Sequence, residues 1–264
     1  AVGNFALCKN TTGGCNTAIG YRAMLSNTEG ARSTAVGTDA LCSNTVNGGH
    51  TAVGRLALAK NTTGDANTAV GTCAIFTNTT GGFNVSVGVN SLKLLTTGCC
   101  NVAVGKDAGE NTTTGSNNHG FGHAACASSA TVSNQITLGN GSNDNLRCAD
   151  TSISSLSDLR DKENIEDIPH GLDYILAMRP VKFDWNTRDG TRIGKKDYGF
   201  IAQELDQVEE TFGNKEYTRL VSKENPEKWE ADPMKTYPIL IKAIQELSET
   251  NKELKAEIEL LKNK

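Results

Sequence analysis

Nine glycines, Gly3, Gly20, Gly37, Gly54, Gly71, Gly88, Gly105, Gly122 and Gly139, follow one another at intervals of 17 residues without a slip. A period this strict marks a stacked array, in which each repeat is one structural unit packed on the next. The residue before each glycine is apolar: Val2, Ile19, Val36, Val53, Val70, Val87, Val104, Phe121 and Leu138. Three residues after it stands a small one, Ala6, Ala23, Ala40, Ala57, Ala74, Ser91, Ala108 or Ala125. The unit reads roughly N-T-A-V-G-x-x-A-L-x-x-N-T-T-G-G-x. One unit is too short to bury a core, but stacked units line up their Val and Ala/Leu positions into continuous columns. The fixed glycines predict corners with positive φ or close backbone approach, and the Asn-Thr-Thr-Gly segments supply turn chemistry. The pattern predicts a mainly β array, a β-solenoid or β-roll, about 40 Å long at ~4.8 Å per strand. It leaves open whether x-x-A-L is a second strand or a single helical turn.

Past the array the composition changes. Of 27 glycines, 22 precede Asp150, whereas Trp185 and Trp229 both follow it. We read a repeat array over 1–126, a β connector over 127–156, an α+β region over 157–238 and a C-terminal coiled-coil helix over 239–264. The chain opens on Ala1-Val2-Gly3 in mid-repeat, which predicts a piece of something longer. A net charge of -4 gives no basic footprint for nucleic acid, and no apolar run reaches the ~20 residues of a membrane helix.

The eight cysteines form no CxxC pair, and His119 and His123 have no third ligand nearby, so neither a metal nor another cofactor is expected. The cysteines occupy scattered phases of the repeat and are expected to be small buried thiols in a chain assembled in a reducing cytoplasm. Aspartate is almost absent at fixed phase, against a calcium-binding roll, and the flat T-x-T array of an ice-binding surface is missing. The sequons at Asn10, Asn61, Asn78 and Asn111 follow from the period.

Between the two parts stands Leu156-Ser157-Asp158-Leu159-Arg160-Asp161-Lys162. One reading makes Ser157 the N-cap of a helix running from Asp158. In a second, the Ser157 hydroxyl is a nucleophile and Lys162 its base. On a regular helix five residues set the two side chains about 140° apart, so the second reading requires Ser157 to lie outside any helix.

The tail bears on that choice. Its ordered segments are Met178-Arg179-Pro180-Val181-Lys182-Phe183-Asp184-Trp185, Asp197-Tyr198-Gly199-Phe200-Ile201-Ala202-Gln203-Glu204-Leu205 and Tyr237-Pro238-Ile239-Leu240-Ile241-Lys242-Ala243-Ile244-Gln245-Glu246-Leu247. With the junction, these resemble the C-terminal intramolecular chaperone of phage endosialidases and tail fibres, the peptidase S74 family, from about Ser157 to Leu261. The resemblance implies a homotrimerisation chaperone that folds a β-rich fibre and then removes itself by serine–lysine autoproteolysis. Its S-D-x-R-x-K motif falls on Ser157, Asp158, Arg160 and Lys162, with the cut between Leu156 and Ser157. Ser157 and Lys162 are then catalytic, and Asp158 and Arg160 position them.

Lysine serves as a base when desolvation or a neighbouring cation favours its neutral form. Burial against Phe183, Trp185 or Phe200, and the charge of Arg160, would act that way. Asp158 and Asp161 would oppose it unless paired with Arg160. The sequence names no oxyanion donor.

The array resembles the trimeric β-roll heads of bacterial adhesins and repeats of viral tail fibres. Together the resemblances imply a virion appendage assembled in the host cytoplasm, with a host-surface receptor or glycan as a partner. The alternative is a surface adhesin that trimerises through its tail without cutting. A membrane-tethered transcription factor, another setting for such a domain, lacks its basic region and membrane helix here.

The last helix carries a heptad, with Ile244, Asn251 and Ile258 at a and Leu240, Leu247, Leu254 and Leu261 at d. Glu257 and Lys262 are placed for an interhelical pair. Peptide rules for this a/d set favour a dimer. The family resemblance implies a trimer, and apolar Ile241 and Ala243 at e and g widen the seam in its favour.

Overall fold

The computed structural model describes residues 1–143, 145–147, 157–188, 190 and 192–263. It divides into two units, 1–144 and 145–264.

The first unit is a β-solenoid. Eight three-residue strands, β1 (Thr17–Ile19), β2 (Thr34–Val36), β3 (Thr51–Val53), β4 (Thr68–Val70), β5 (Val85–Val87), β6 (Val102–Val104), β7 (His119–Phe121) and β8 (Ile136–Leu138), form one parallel sheet in chain order. Each residue pairs with the one 17 further on, as in Thr17↔Thr34, Ala18↔Ala35 and Ile19↔Val36. The sheet therefore continues to Leu138, inside the stretch read as connector. The period-2 geometry of a strand turns the central alanines inward, where Ala18, Ala35, Ala52 and Ala69 are fully buried.

The x-x-A-L piece is neither a second strand nor a helical turn. It is a turn in which left-handed residues alternate with right-handed ones, as at Asp39 (φ 56°) and Leu41 (φ 52°). The alternation aims successive N–H groups along the stack: Asp39 donates back to Tyr21 O at 2.9 Å and Leu41 forward to Ala57 O at 2.9 Å. It also buries Ala40 and Leu41 against the strand alanines.

The corner glycines are needed for both reasons expected. Gly71 has φ 137°, and a Cβ there would lie 2.4 Å from the carbonyl oxygen of Gly88 in the next turn. Inside the stack, Asn27, Asn44, Asn61 and Asn78 form a ladder, each Nδ2 donating to the Oδ1 one turn before at 2.7 to 3.3 Å. The ladder stops where Leu95 takes the next place, which leaves Asn78 Oδ1 buried without a partner.

The cysteines depart from expectation. The described ones are free thiols, but Cys8, Cys15 and Cys100 are exposed rather than buried: Cys15 and Cys100 share an outward phase of the repeat, and Cys8 lies in the first turn. Cys148 lies outside the described residues.

The second unit is α+β. After a 3-10 turn (Leu159–Asp161) come α1 (Leu172–Ala177), the antiparallel hairpin β9 (Val181–Asp184) and β10 (Lys196–Gly199), α2 (Ala202–Phe212) and α3 (Lys215–Thr218). A two-residue pair, β11 (Val221–Ser222) and β12 (Glu230–Ala231), leads to the long α4 (Tyr237–Lys262). Its core is Tyr174, Met178, Leu205, Val208, Leu220 and Ile239. No helix among the described residues is long and apolar enough to cross a membrane.

Candidate functional site

The junction folds so that two side chains five residues apart meet. Asp158, not Ser157, caps the turn: its carboxylate accepts from the Arg160 backbone N–H at 2.9 Å. The helix expected from Asp158 is a single 3-10 turn over Leu159–Asp161, and Lys162 has already returned to extended backbone at φ -127°, ψ 137°. Ser157 and Lys162 thus both lie outside the helix. One tight turn between two extended residues folds the chain back, and Lys162 Nζ lies 2.7 Å from Ser157 Oγ.

Asp158 and Arg160 brace that turn. The Arg160 guanidinium grips both carboxylate oxygens, Nε to Oδ1 at 3.0 Å and Nη2 to Oδ2 at 2.6 Å. The Arg160 contact holds the Asp158 carboxyl below the usual carboxylate range and pushes the guanidinium in the opposite direction. One carboxylate therefore both caps the turn and pairs with the arginine. Lys162 is exposed, so the burial expected against Phe183, Trp185 or Phe200 is not provided within one chain. Leu156, the residue expected on the other side of the cut, lies outside the described residues.

Phe183 and Trp185 instead pack on each other in the β9–β10 hairpin, with ring centroids 5.0 Å apart and Arg192 4.5 Å over the indole. Trp185 Nε1 donates to Asp197 at 3.2 Å, which lowers the Asp197 carboxyl below its ordinary range. Arg179 pairs with Glu204, fixing the start of the hairpin to the first turn of α2.

Two carboxylates that the sequence did not single out organise this unit. Glu209 is fully buried, and its Oε1 accepts from the Thr218 hydroxyl and, at 2.7 Å, from the Leu220 N–H. Glu246 on α4 accepts from the Leu172 N–H at 2.7 Å, capping α1 across 74 residues where Gly171 offers no side chain. Neither sits in a pattern that marks it: each is one glutamate in a charged amphipathic helix.

The face of α4 carrying Ile239, Ala243 and Glu246 belongs to this packing. The heptad seam does not, and Leu240, Ile244, Leu247, Leu254, Ile258 and Leu261 are all exposed. Lys262 pairs with Glu259 on its own helix at 3.0 Å.

Among known proteins, the family model of peptidase S74, chaperone of endosialidase, matches residues 157–214. The match begins on Ser157 and takes in the whole junction turn, the hairpin and α2. No curated protein and no solved structure matches the chain.

Proposed function

We propose that residues 157–264 are a self-releasing trimerisation chaperone for the β-solenoid before them, and that the chain is the C-terminal part of a viral tail fibre or similar appendage. The observation that carries this is the approach of Lys162 Nζ to Ser157 Oγ inside a stretch similar to the chaperone of endosialidase.

In the chemistry we assign, the neutral Lys162 amine takes the Ser157 hydroxyl proton as Oγ attacks the Leu156 carbonyl carbon. The Leu156–Ser157 C–N bond breaks, the leaving amine of Ser157 takes up a proton, and the Leu156 acyl group is left on Oγ as an ester. Water hydrolyses the ester, which gives a Leu156 carboxylate and restores the Ser157 hydroxyl. Asp158 and Arg160 hold the turn that keeps base and nucleophile in reach. Because Lys162 is exposed in one chain, the desolvation that favours a neutral amine has to come from association, and cutting then follows assembly.

Two surfaces support association of copies. One is the open a/d seam of α4. The other is the outer column of the solenoid sheet, where Ile19, Val70, Val87, Val104, Phe121 and Leu138 are exposed. The array also needs a register setter, since a slip of one turn keeps every column intact. Holding three C-termini together fixes the register and raises the effective concentration of the chains for one another. Removing the tail afterwards leaves a fibre that unfolds slowly and has no route back, which is kinetic stability.

A denaturing gel of wild type beside Ser157→Ala and Lys162→Ala tests the reading. A tail of about 108 residues, in wild type alone, is expected. Full-length chain in all three, with trimers by light scattering, favours an adhesin that trimerises without cutting.

A further inference from the structure

One buried column of the array contains a residue that can change charge. Just before the strands, Asn16, Ser33, His50, Asn67, Asn84 and Asn101 stand 17 apart. An asparagine here joins neighbouring turns with both ends of its amide. Asn84 Oδ1 accepts from the Asn101 N–H at 2.9 Å, and Asn84 Nδ2 donates to Gly98 O at 3.0 Å. His50, 1% exposed, does the same with a ring: Nδ1 accepts from the Asn67 N–H at 3.1 Å, and the Gly64 carbonyl is the ring's second partner.

An amide has one fixed acceptor and one fixed donor, whereas an imidazole copies that pattern only as the neutral tautomer protonated on Nε2. A proton on Nδ1 sets two N–H groups against each other where water does not reach. Asn61 Nδ2, 3.5 Å from Nε2, donates to Asn44 Oδ1 and to the Gly64 carbonyl. The groups around the ring, Ser33, Asn61 and Asn67, are uncharged. Asp65, exposed at the turn, is the ionisable group whose charge reaches it.

We infer that His50 is a proton-operated release built into the array: mild acid uncouples the third turn from the fourth, while turns joined by asparagine stay closed. Burial holds the folded imidazole below its ordinary value, and it outweighs the opposing pull of Asp65. The unfolded or opened chain therefore binds the proton first. The stabilisation from neutral His50 is complete above pH ~6.5 and is lost as pH falls from there towards the folded value. With one proton involved, the opening equilibrium rises by up to about tenfold per pH unit in that window.

Amide hydrogen exchange on the full chain tests this. The protection of Asn67 is read against that of Asn101 in the same sample at pH 7.5 and pH 5.5, so that the intrinsic effect of pH cancels. The Asn67 to Asn101 protection ratio is expected to fall by up to about tenfold in wild type and to stay constant in His50→Asn, which restores the column. A flat wild-type ratio, or an equal fall in His50→Asn, overturns the inference. Should the variant not fold, the wild-type ratio alone decides.

Discussion

The two units solve the same problem of order in opposite ways. In the solenoid most contacts are repeated: strand pairs, asparagine rungs and alanine columns recur at one spacing of 17. In the tail the decisive contacts occur once and reach far along the sequence, as from Glu246 to Leu172 or from Glu209 to Leu220. Repetition yields a close-packed stack but leaves its register undetermined, because a shifted copy makes the same bonds. Single contacts make a unique fold from a small core. A chain that joins the two can use the second to start the first, which is the role proposed above for the tail.

The contrast is sharpest at glycine. Gly71→Ala forces a Cβ to 2.4 Å from the Gly88 oxygen at φ 137°, whereas at Gly213 (φ 65°) an added Cβ meets nothing within 4 Å. The array substitution is expected to cost at least about 4 kcal/mol and the tail substitution about 1 kcal/mol, by denaturant unfolding. Equal costs would break the idea that turns in the array are packed backbone to backbone.

Next in size is the loss of one rung. Asn101→Ala removes a partner of Gly115 O, of Asn84 Oδ1 and of the Asn118 N–H, all inside the stack. About 3 kcal/mol is expected, since each orphaned buried group has its own desolvation cost. The same substitution at Glu209 strands the Thr218 hydroxyl and the Leu220 N–H, for about 2 kcal/mol measured on the tail transition. If the Asn101 variant loses nothing, the ladders are incidental to the array's stability.

How much of this was legible follows from the same contrast. The array was readable because a period is visible without knowing any partner: Gly71 and Ala69 announce their roles by recurring. The handedness of Asp39 and Leu41 was not, since no residue type marks a non-glycine left-handed turn, and the x-x-A-L piece stayed open. At the junction the need for Ser157 to lie outside a helix, if it is to meet Lys162, was derivable; that Asp158 rather than Ser157 caps the turn was not. Glu209 and Glu246 were invisible, because their partners lie in parts of the chain that only the fold brings close. The exposure of Lys162 was unforeseen for a related reason: of the aromatic residues that looked available to bury it, Phe183 and Trp185 are engaged with one another and Phe200 packs on the core of the second unit.

The smallest effect concerns the link between seam and core. Glu246→Ala removes the cap on α1 and is expected to cost about 1 kcal/mol in the tail transition, leaving that of the array unchanged. A shift confined to the array transition would contradict the assignment of this contact to the tail.

The central claim is that Ser157 and Lys162 sever the bond before Ser157. Intact-mass measurement of the purified, assembled protein tests it most directly. The account predicts two species, ending at Leu156 and beginning at Ser157 with a free amine, and one intact 28.0 kDa chain when Lys162 is replaced by alanine. An assembled wild type that persists as the uncut chain, or that is cut at any other bond, contradicts it.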